Sequence, residues 1–398
     1  MTVRHILFSI LALGAVSSAP AAEVLNGIDV LVRDDFRHLA GSRVALISNH
    51  TGLDRDGHST IRLLHHADDV ALVRIFSPEH GIEGKLDIPL IDDDTDGATG
   101  IPVFSLYGET RRPTAAMLAG IDTIVFDIQD IGTRFYTYIS TMGNAMLAAA
   151  EHDIRFVVLD RPNPINGIDV AGPVLDDGLQ SFVGFHTIPV RHGMTVGELA
   201  LLFESELALN LDLHVVRVEG WRRAQFYDDT GLAWINPSPN MRSLRAALLY
   251  PGIGLLETTN ISVGRGTDTP FELLGAPWID GPSFAASLNA LQLDGISFAA
   301  TAFTPDASTY AGEFCEGVRI TITDRTHLQP LTAGFAIARQ LLLDYGEAWE
   351  TQRYMRLLGN AATMAALLNG KSVDAIEATY RPGLDSFLTR RAPHLLYD

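Results

Sequence analysis

The segment Ser77-Pro78-Glu79-His80-Gly81 follows an apolar run at residues 70–76 and sets a carboxyl beside an imidazole at the end of a predicted buried strand. Strand ends are where an open α/β sheet binds its ligands. Pro78 fixes one backbone angle and Gly81 frees another, so the Glu79 side chain is presented on a tight turn. Glu79 is therefore the leading candidate for proton transfer, against the alternative of a buried structural carboxylate at a turn. His80 reads either as a second proton-transfer group or as a structural hydrogen bonder, because adjacency in sequence does not bring two side chains into contact.

Other polar groups follow the same logic. Asp127 and Asp130 flank Ile128-Gln129, with Arg134, Tyr136 and Tyr138 close behind. Carboxylate, amide, guanidinium and phenol together suit a sugar, whose hydroxyls need fixed donors and acceptors and whose ring faces pack on aromatics. Asp160-Arg161 repeats the theme, and the prolines on both sides of Asn163 stiffen that loop. For both segments the alternative is an Asp–Arg structural pair at the sheet edge. Asn49 lies in Ser48-Asn49-His50-Thr51-Gly52, and His192 precedes Gly193, where it reads as a loop hydrogen bonder. In the second half, Pro237-Ser238-Pro239-Asn240-Met241 and Glu257-Thr258-Thr259-Asn260 are polar and turn-rich. Glycines on both sides of Arg265 let the backbone approach a ligand closely, and its guanidinium suits a carboxylate, with a tight surface turn as the alternative. The catalytic candidates are thus Glu79, His80, Asp127, Asp130 and Asp160. The binding candidates are Asn49, Gln129, Arg134, Tyr136, Arg161, Asn163, His192, Asn240, Glu257, Asn260 and Arg265.

Several chemistries lack their usual signatures. The sequence holds no G-x-S-x-G elbow, no Walker A, no G-x-G-x-x-G after the first strand and no H-E-x-x-H helix, which removes support for serine hydrolase, nucleotide and zincin readings. The 13 histidines are scattered, and His65-His66 read as a solvated helix end, so no metal site and no cofactor is expected. The single Cys315 excludes an intramolecular disulfide and reads as a small buried apolar residue. A formal net charge of −19 makes nucleic acid and anionic membranes poor partners.

Elements must position these groups. Residues 1–22 read as a secretory signal peptide: Arg4 gives a positive start, residues 6–16 an apolar run too short to span a bilayer, and Ala19-Pro20-Ala21 a small-residue cleavage site. The mature chain is then exported without a membrane span, with the periplasm favoured over the medium. Its length and 47% apolar composition predict a large core in two domains, 23–230 and 231–398. Strands are expected at 43–48, 70–76, 123–127, 155–160 and 213–218, and helices at 59–66, 142–151 and 196–207, the last opened by Thr195 as N-cap. Such near-continuous apolar strands predict a parallel sheet covered by helices, the α/β class, with polar loops meeting at one edge. Further on, residues 234–269 are dense in Pro, Gly, Asn and Thr, and a strand at 318–323 with helices at 331–343 and 361–368 predicts a smaller α+β domain.

Taken together, several ordered motifs carry a family resemblance. They are Phe76 to Gly81, Phe126 to Tyr138, Asp160 to Pro164, His192 to Glu198, Pro237 to Met241, Glu257 to Thr267 and Pro270-Phe271-Glu272. The chain resembles the NamZ-type exo-β-N-acetylmuramidases, long carried as a domain of unknown function, from about Gly27 to its C-terminus. The resemblance implies a Rossmann-like N-terminal domain, a smaller C-terminal domain and an active-site cleft between them. It further implies removal of terminal, non-reducing N-acetylmuramic acid (MurNAc) from peptidoglycan fragments β-1,4-linked to N-acetylglucosamine (GlcNAc), a step in cell-wall recycling. Glu79 matches the family's catalytic glutamate and takes the general acid/base role, while Asp127, Asp130, Asp160 and Glu257 stay open for the second carboxylate. A separation of about 5–5.5 Å between the pair implies retention, and about 6.5–9.5 Å inversion. Ala171 stands before Gly172-Pro173 where relatives carry an acidic residue, with Asp169 shortly before it. Muramic acid carries a lactyl carboxylate, for which Arg134, Arg161 and Arg265 are the cation candidates. The alternatives are a non-catalytic binder of cell-wall sugars and a hydrolase of a different muramic acid linkage. The oligomeric state is open.

Overall fold

The computed structural model describes residues 23–398, and the predicted leader at residues 1–22 lies outside the described residues. The N-terminal part carries β1 (Ser42–Ser48), β2 (Val70–Ser77), β3 (Asp94–Thr95), β4 (Pro102–Ser105), β5 (Thr123–Asp127), β6 (Arg155–Leu159), β7 (Ala171–Val174), β8 (Pro189–Arg191) and β9 (Leu213–Val216). One sheet of order β3-β4-β2-β1-β5-β6-β9 is parallel throughout except for the short β3, which runs against β4. β7 and β8 pair separately and antiparallel.

The apolar runs form strands buried on both faces. Val44 and Leu46 join one hydrophobic cluster with Val125 and Val157, while Ala45 and Ile47 join the other with Phe126 and Phe156. Helices Gly27–Arg33 and Thr60–His65 pack on the sheet along with Tyr138–Glu151 and Val196–Glu206. Thr195 caps the last of these by accepting from the Glu198 N–H. Ile47 lies opposite Phe76 on one side and Phe126 on the other, so β2, β1 and β5 end level with one another. The loops that follow emerge along one edge, and strand order reverses between β1 and β5.

The C-terminal part is smaller, an antiparallel sheet of β10 (Leu273–Ala276), β11 (Ile296–Phe303) and β12 (Cys315–Ile322) in the order β10-β12-β11, with helices around it. The same hydrophobic cluster runs from Phe126 through Leu249 to Phe335, so the two parts share one continuous core. The last helix, Val373–Arg391, returns to pack on β7, and Tyr397 reaches back to donate to Asp160 Oδ2 at 2.5 Å. No helix of the described residues is long and apolar enough to cross a membrane.

Some element bounds differ from the sequence reading. The helix expected from 142 begins at Tyr138, since tertiary burial of Tyr138 and Ile139 overrides the weak helix propensity of Tyr, Thr and Ile. The Pro- and Gly-rich stretch after Trp234 contains the helix Leu244–Ile253, started by Ser243, which accepts from the Ala246 N–H at 3.0 Å.

Candidate active site

Glu79 sits on a turn closed by the Gly81 N–H to the Pro78 carbonyl at 3.0 Å. His80 takes a left-handed φ of 72° and Gly81 one of 73°. A left-handed non-glycine residue costs about 1–3 kcal/mol and persists where surrounding contacts hold it. One such contact joins His80 Nδ1 to the Leu86 carbonyl at 2.6 Å. A carbonyl only accepts, so Nδ1 carries the proton there and Nε2 is left as the acceptor of the neutral ring. The loop then passes over His50 at Gly84, where φ is 64° and a Cβ would meet the His50 ring at 1.8 Å. Glycine is required at that crossing.

Glu79 and His80 line a cleft of about 480 Å³ between the two parts of the chain. The Thr137 hydroxyl donates to Glu79 Oε2. Tyr107 lines the same wall, and burial together with the neighbouring Glu79 carboxylate raises the pKa of its phenol, keeping it a donor. No cation forms an ion pair with Glu79 among the described residues. Glu257 and Arg265 come from the C-terminal side. Arg265 bonds Glu257 Oε1 with one nitrogen and Asp87 Oδ2, at 2.6 Å, with another. Asn240 donates to the same Asp87 oxygen at 3.0 Å. Asp87 belongs to the loop after Glu79, so Arg265 straps that loop to the C-terminal part and Asn240 ties it to the segment leading there. Glu257 is only 19% exposed, and burial pushes its pKa up. Arg265 opposes that shift, while Glu79 and Asp87 add to it. Asp87 moves the other way, held down by Arg265 against its own desolvation.

Aromatics complete the cleft. Phe135, Tyr136, Tyr250 and Phe271 line it, with ring centroids 5.1 Å apart for Phe135–Tyr250, 6.0 Å for Tyr136–Tyr250 and 4.6 Å for Tyr250–Phe271. Edge-to-face packing of this kind makes a stiff apolar surface for a sugar ring.

The remaining expected site residues are held in the framework around the cleft. Asp127 and Arg161 form a buried bidentate pair at 2.6 and 3.0 Å, with the Thr60 hydroxyl on Asp127 Oδ2 at 2.5 Å. This is the structural Asp–Arg alternative considered from the sequence. Asp160 accepts from Thr195, the Gly197 N–H and Tyr397, and burial pushes its pKa up to about 6. Arg134 is 0% exposed and donates to the carbonyls of Pro173, Ile188, Leu357 and Leu358, which leaves no donor pair for a ligand carboxylate. Asp130 accepts from the Gly132 N–H at 2.7 Å, and its Oδ2 lies 3.5 Å from His192 Nε2. Gln129 donates to the carbonyls of Asp130 and Pro162, Asn163 to that of Met194, and Asn49 accepts from Thr51. Asn260 braces the chain at Ala348 and Glu350. Of the residues expected from sequence, the cleft itself gathers Glu79, His80, Tyr136, Asn240, Glu257 and Arg265. Ala171 and Asp169 line a different cavity, of about 420 Å³, beside Arg191 and Tyr380.

Sequence reasoning missed Asp87, Tyr107, Tyr250, Arg353 and Arg356, all of which line the cleft. Asp87 had one usable signal, a carboxylate between Leu86 and Ile88 in a loop already tied to the Glu79 turn.

Two glutamates and a set of tilted and edge-to-face aromatics, in a cleft between an α/β part and a smaller one, make a surface that suits glycoside hydrolysis. The chain belongs to the exo-β-N-acetylmuramidase NamZ family, whose N-terminal model matches residues 44–245 and whose C-terminal model matches residues 248–397. It is 40% identical to the peptidoglycan β-N-acetylmuramidase NamZ of Bacillus subtilis (strain 168), an alignment covering 100% of this chain and 99% of that protein. Crystal structures of two DUF1343 family proteins from Bacteroides fragilis NCTC 9343 share the fold. One has a TM-score of 0.88 at 37% identity over 95% of this chain and 100% of its own, the other 0.78 at 32% over 95% and 99%.

Proposed function

We propose that this chain is an exo-acting β-N-acetylmuramidase that removes non-reducing terminal MurNAc from peptidoglycan fragments, with Glu79 as general acid/base. Family membership supports the reaction class. The observation that carries the site assignment is the cleft shared by Glu79, which has no cation partner among the described residues, and Glu257 from the other part of the chain.

Glu79 protonates the glycosidic oxygen as the C1–O bond breaks, so the departing sugar leaves with the proton. Glu257, held in place by Arg265, meets the positive charge that develops at C1. Water supplies the oxygen that bonds C1 and returns a proton to a cleft carboxylate, and the released muramic acid carries a new reducing end. The aromatic surface packs against the sugar ring, and the Thr137 hydroxyl orients the Glu79 carboxyl. A second assignment, with Glu257 as the proton donor, is favoured by the upward shift that burial imposes on it.

Incubation with MurNAc-β-1,4-GlcNAc and with the reversed disaccharide tests the reaction. Both monosaccharides should appear from the first substrate alone. Cleavage of the reversed disaccharide, or a product without a new reducing end, points to another hydrolase, and binding without turnover to a sugar-binding protein. The leader at residues 1–22 supports export, and retention of small fragments supports a periplasmic role in recycling. Cell fractionation should then find the activity in the periplasm, and a cytoplasmic fraction carrying it would contradict this placement.

A further inference from the structure

MurNAc is an anion, yet the cleft presents the carboxylates Glu79, Asp87 and Glu257. An anionic sugar needs a cation there, and all three guanidiniums singled out from sequence are committed elsewhere. Arg134 is spent on four carbonyls, Arg161 on Asp127 and the Leu53 carbonyl, and Arg265 on Asp87 and Glu257.

Resting on the function proposed above, we infer that Arg353 and Arg356 form the subsite that reads the lactyl carboxylate. Both line the cleft and are exposed. Neither forms an ion pair or a side-chain hydrogen bond among the described residues, in contrast to Arg265 on the same cleft. Arg353 precedes and Arg356 lies within the single helical turn Met355–Leu358, and the Arg356 N–H donates to the Arg353 carbonyl at 3.1 Å, so the two residues are one turn apart. Their mount is stiff. Thr258 donates to the Arg353 carbonyl at 2.8 Å, and Tyr354 between them is fully buried, its ring 5.7 Å from that of Trp349. Arg134 fastens the Leu357 and Leu358 carbonyls at 2.7 and 2.8 Å. A pair of free, planar guanidiniums on a fixed segment is the donor set that a carboxylate takes in parallel bonds. It also offsets the repulsion that the cleft carboxylates exert on an anionic substrate.

The test compares wild type with Arg353→Ala, Arg356→Ala and the double variant on an aryl β-N-acetylmuramide, its lactyl methyl ester and the matching N-acetylglucosaminide. Calorimetric binding of free MurNAc is measured alongside. Wild type should favour the free acid over the ester. The double variant should lose roughly 10- to 100-fold in kcat/KM on the acid, the range for hydrogen bonds to charged groups, and under about 3-fold on the ester, with MurNAc binding weakened in parallel. Equal losses on acid and ester, or none on either, overturn the subsite and leave the function standing. Binding of MurNAc that depends on both arginines without any turnover supports the subsite and overturns the function. Wild type that neither binds nor cleaves a muramide overturns both.

Discussion

Replacing Arg134 separates a framework role from a substrate-binding one. Its guanidinium is 0% exposed and holds the carbonyls of Pro173, Ile188, Leu357 and Leu358 at 2.9, 3.1, 2.7 and 2.8 Å. Hydrogen bonds from a charged donor contribute about 1.5–3 kcal/mol each. Against that stands the desolvation of the ion, several kcal/mol, whose direction is visible in a guanidinium pKa pushed down to about 9. In Arg134→Met the Ile188 carbonyl keeps the Leu175 N–H at 3.2 Å, while the other three lose their Arg134 donor. Leaving a buried carbonyl without a donor costs about 1–3 kcal/mol each, and the relieved desolvation of the ion offsets part of the sum, for a net loss of about 3–5 kcal/mol. At about 2.1 cal/mol/K of unfolding entropy per residue, a chain of this length loses roughly 4–6 °C in Tm. Arg134→Lys should lose most of this too, because three donors on one nitrogen do not span four carbonyls. Scanning calorimetry and urea unfolding give the stabilities, and turnover of the aryl muramide gives the activity. A framework role for Arg134 is refuted if both variants melt within about 1 °C of wild type while kcat/KM for the muramide collapses and that for an uncharged analogue does not.

Two further perturbations follow from the shifted carboxyls. Burial raises Asp160 to about 6, above the unfolded value of about 3.9, so the native state holds the extra proton between those values and stability falls as pH rises from about 4 to 6. Asp160→Asn does not ionise, and its stability relative to wild type should improve by about 2–3 kcal/mol between pH 4 and 7; urea titrations that run parallel over this range would contradict the assignment. Arg265→Ala removes the cation that holds Glu257 down while burial and Glu79 still push it up. If Glu257 works ionised, the acidic limb of the kcat/KM profile moves to higher pH. If Glu257 is the proton donor, the basic limb moves up instead.

The sheet was legible because buried parallel strands are written as unbroken apolar runs. Residues 43–48, 70–76 and 123–127 match β1, β2 and β5 to within a residue at either end, and the helix Ala361–Leu368 matches at both. β11 was not legible, since Ala299, Ala300 and Thr301 neither alternate nor form an apolar run. The helix Val373–Arg391 was hidden by Pro382-Gly383 in its interior and by its polar surface. Within the site, Glu79 was legible from its turn, and Asn240, Glu257 and Arg265 from their turn-rich surroundings. Asp127, Asp160 and Arg161 sit at the same sheet edge, but sequence holds nothing that distinguishes a side chain entering the cleft from one sealed beneath it. That distinction comes from Thr60, Thr195 and Tyr397, which arrive from distant segments to satisfy those carboxyls. Asp87, Arg353 and Arg356 acquire their meaning only when the two parts close on one cleft.

The central claim is proton donation by Glu79, and leaving-group dependence tests it most directly. Glu79→Gln and Glu257→Gln are assayed on MurNAc-β-1,4-GlcNAc, whose departing sugar oxygen needs a proton, and on a muramide with an activated aryl leaving group, which does not. Loss of general acid catalysis costs about 10²–10⁴-fold, so Glu79→Gln should fall by that factor on the disaccharide and far less on the aryl substrate, while Glu257→Gln falls on both. The reverse pattern, with Glu257→Gln selective for the disaccharide and Glu79→Gln equally impaired on both, would contradict the account and make Glu257 the acid.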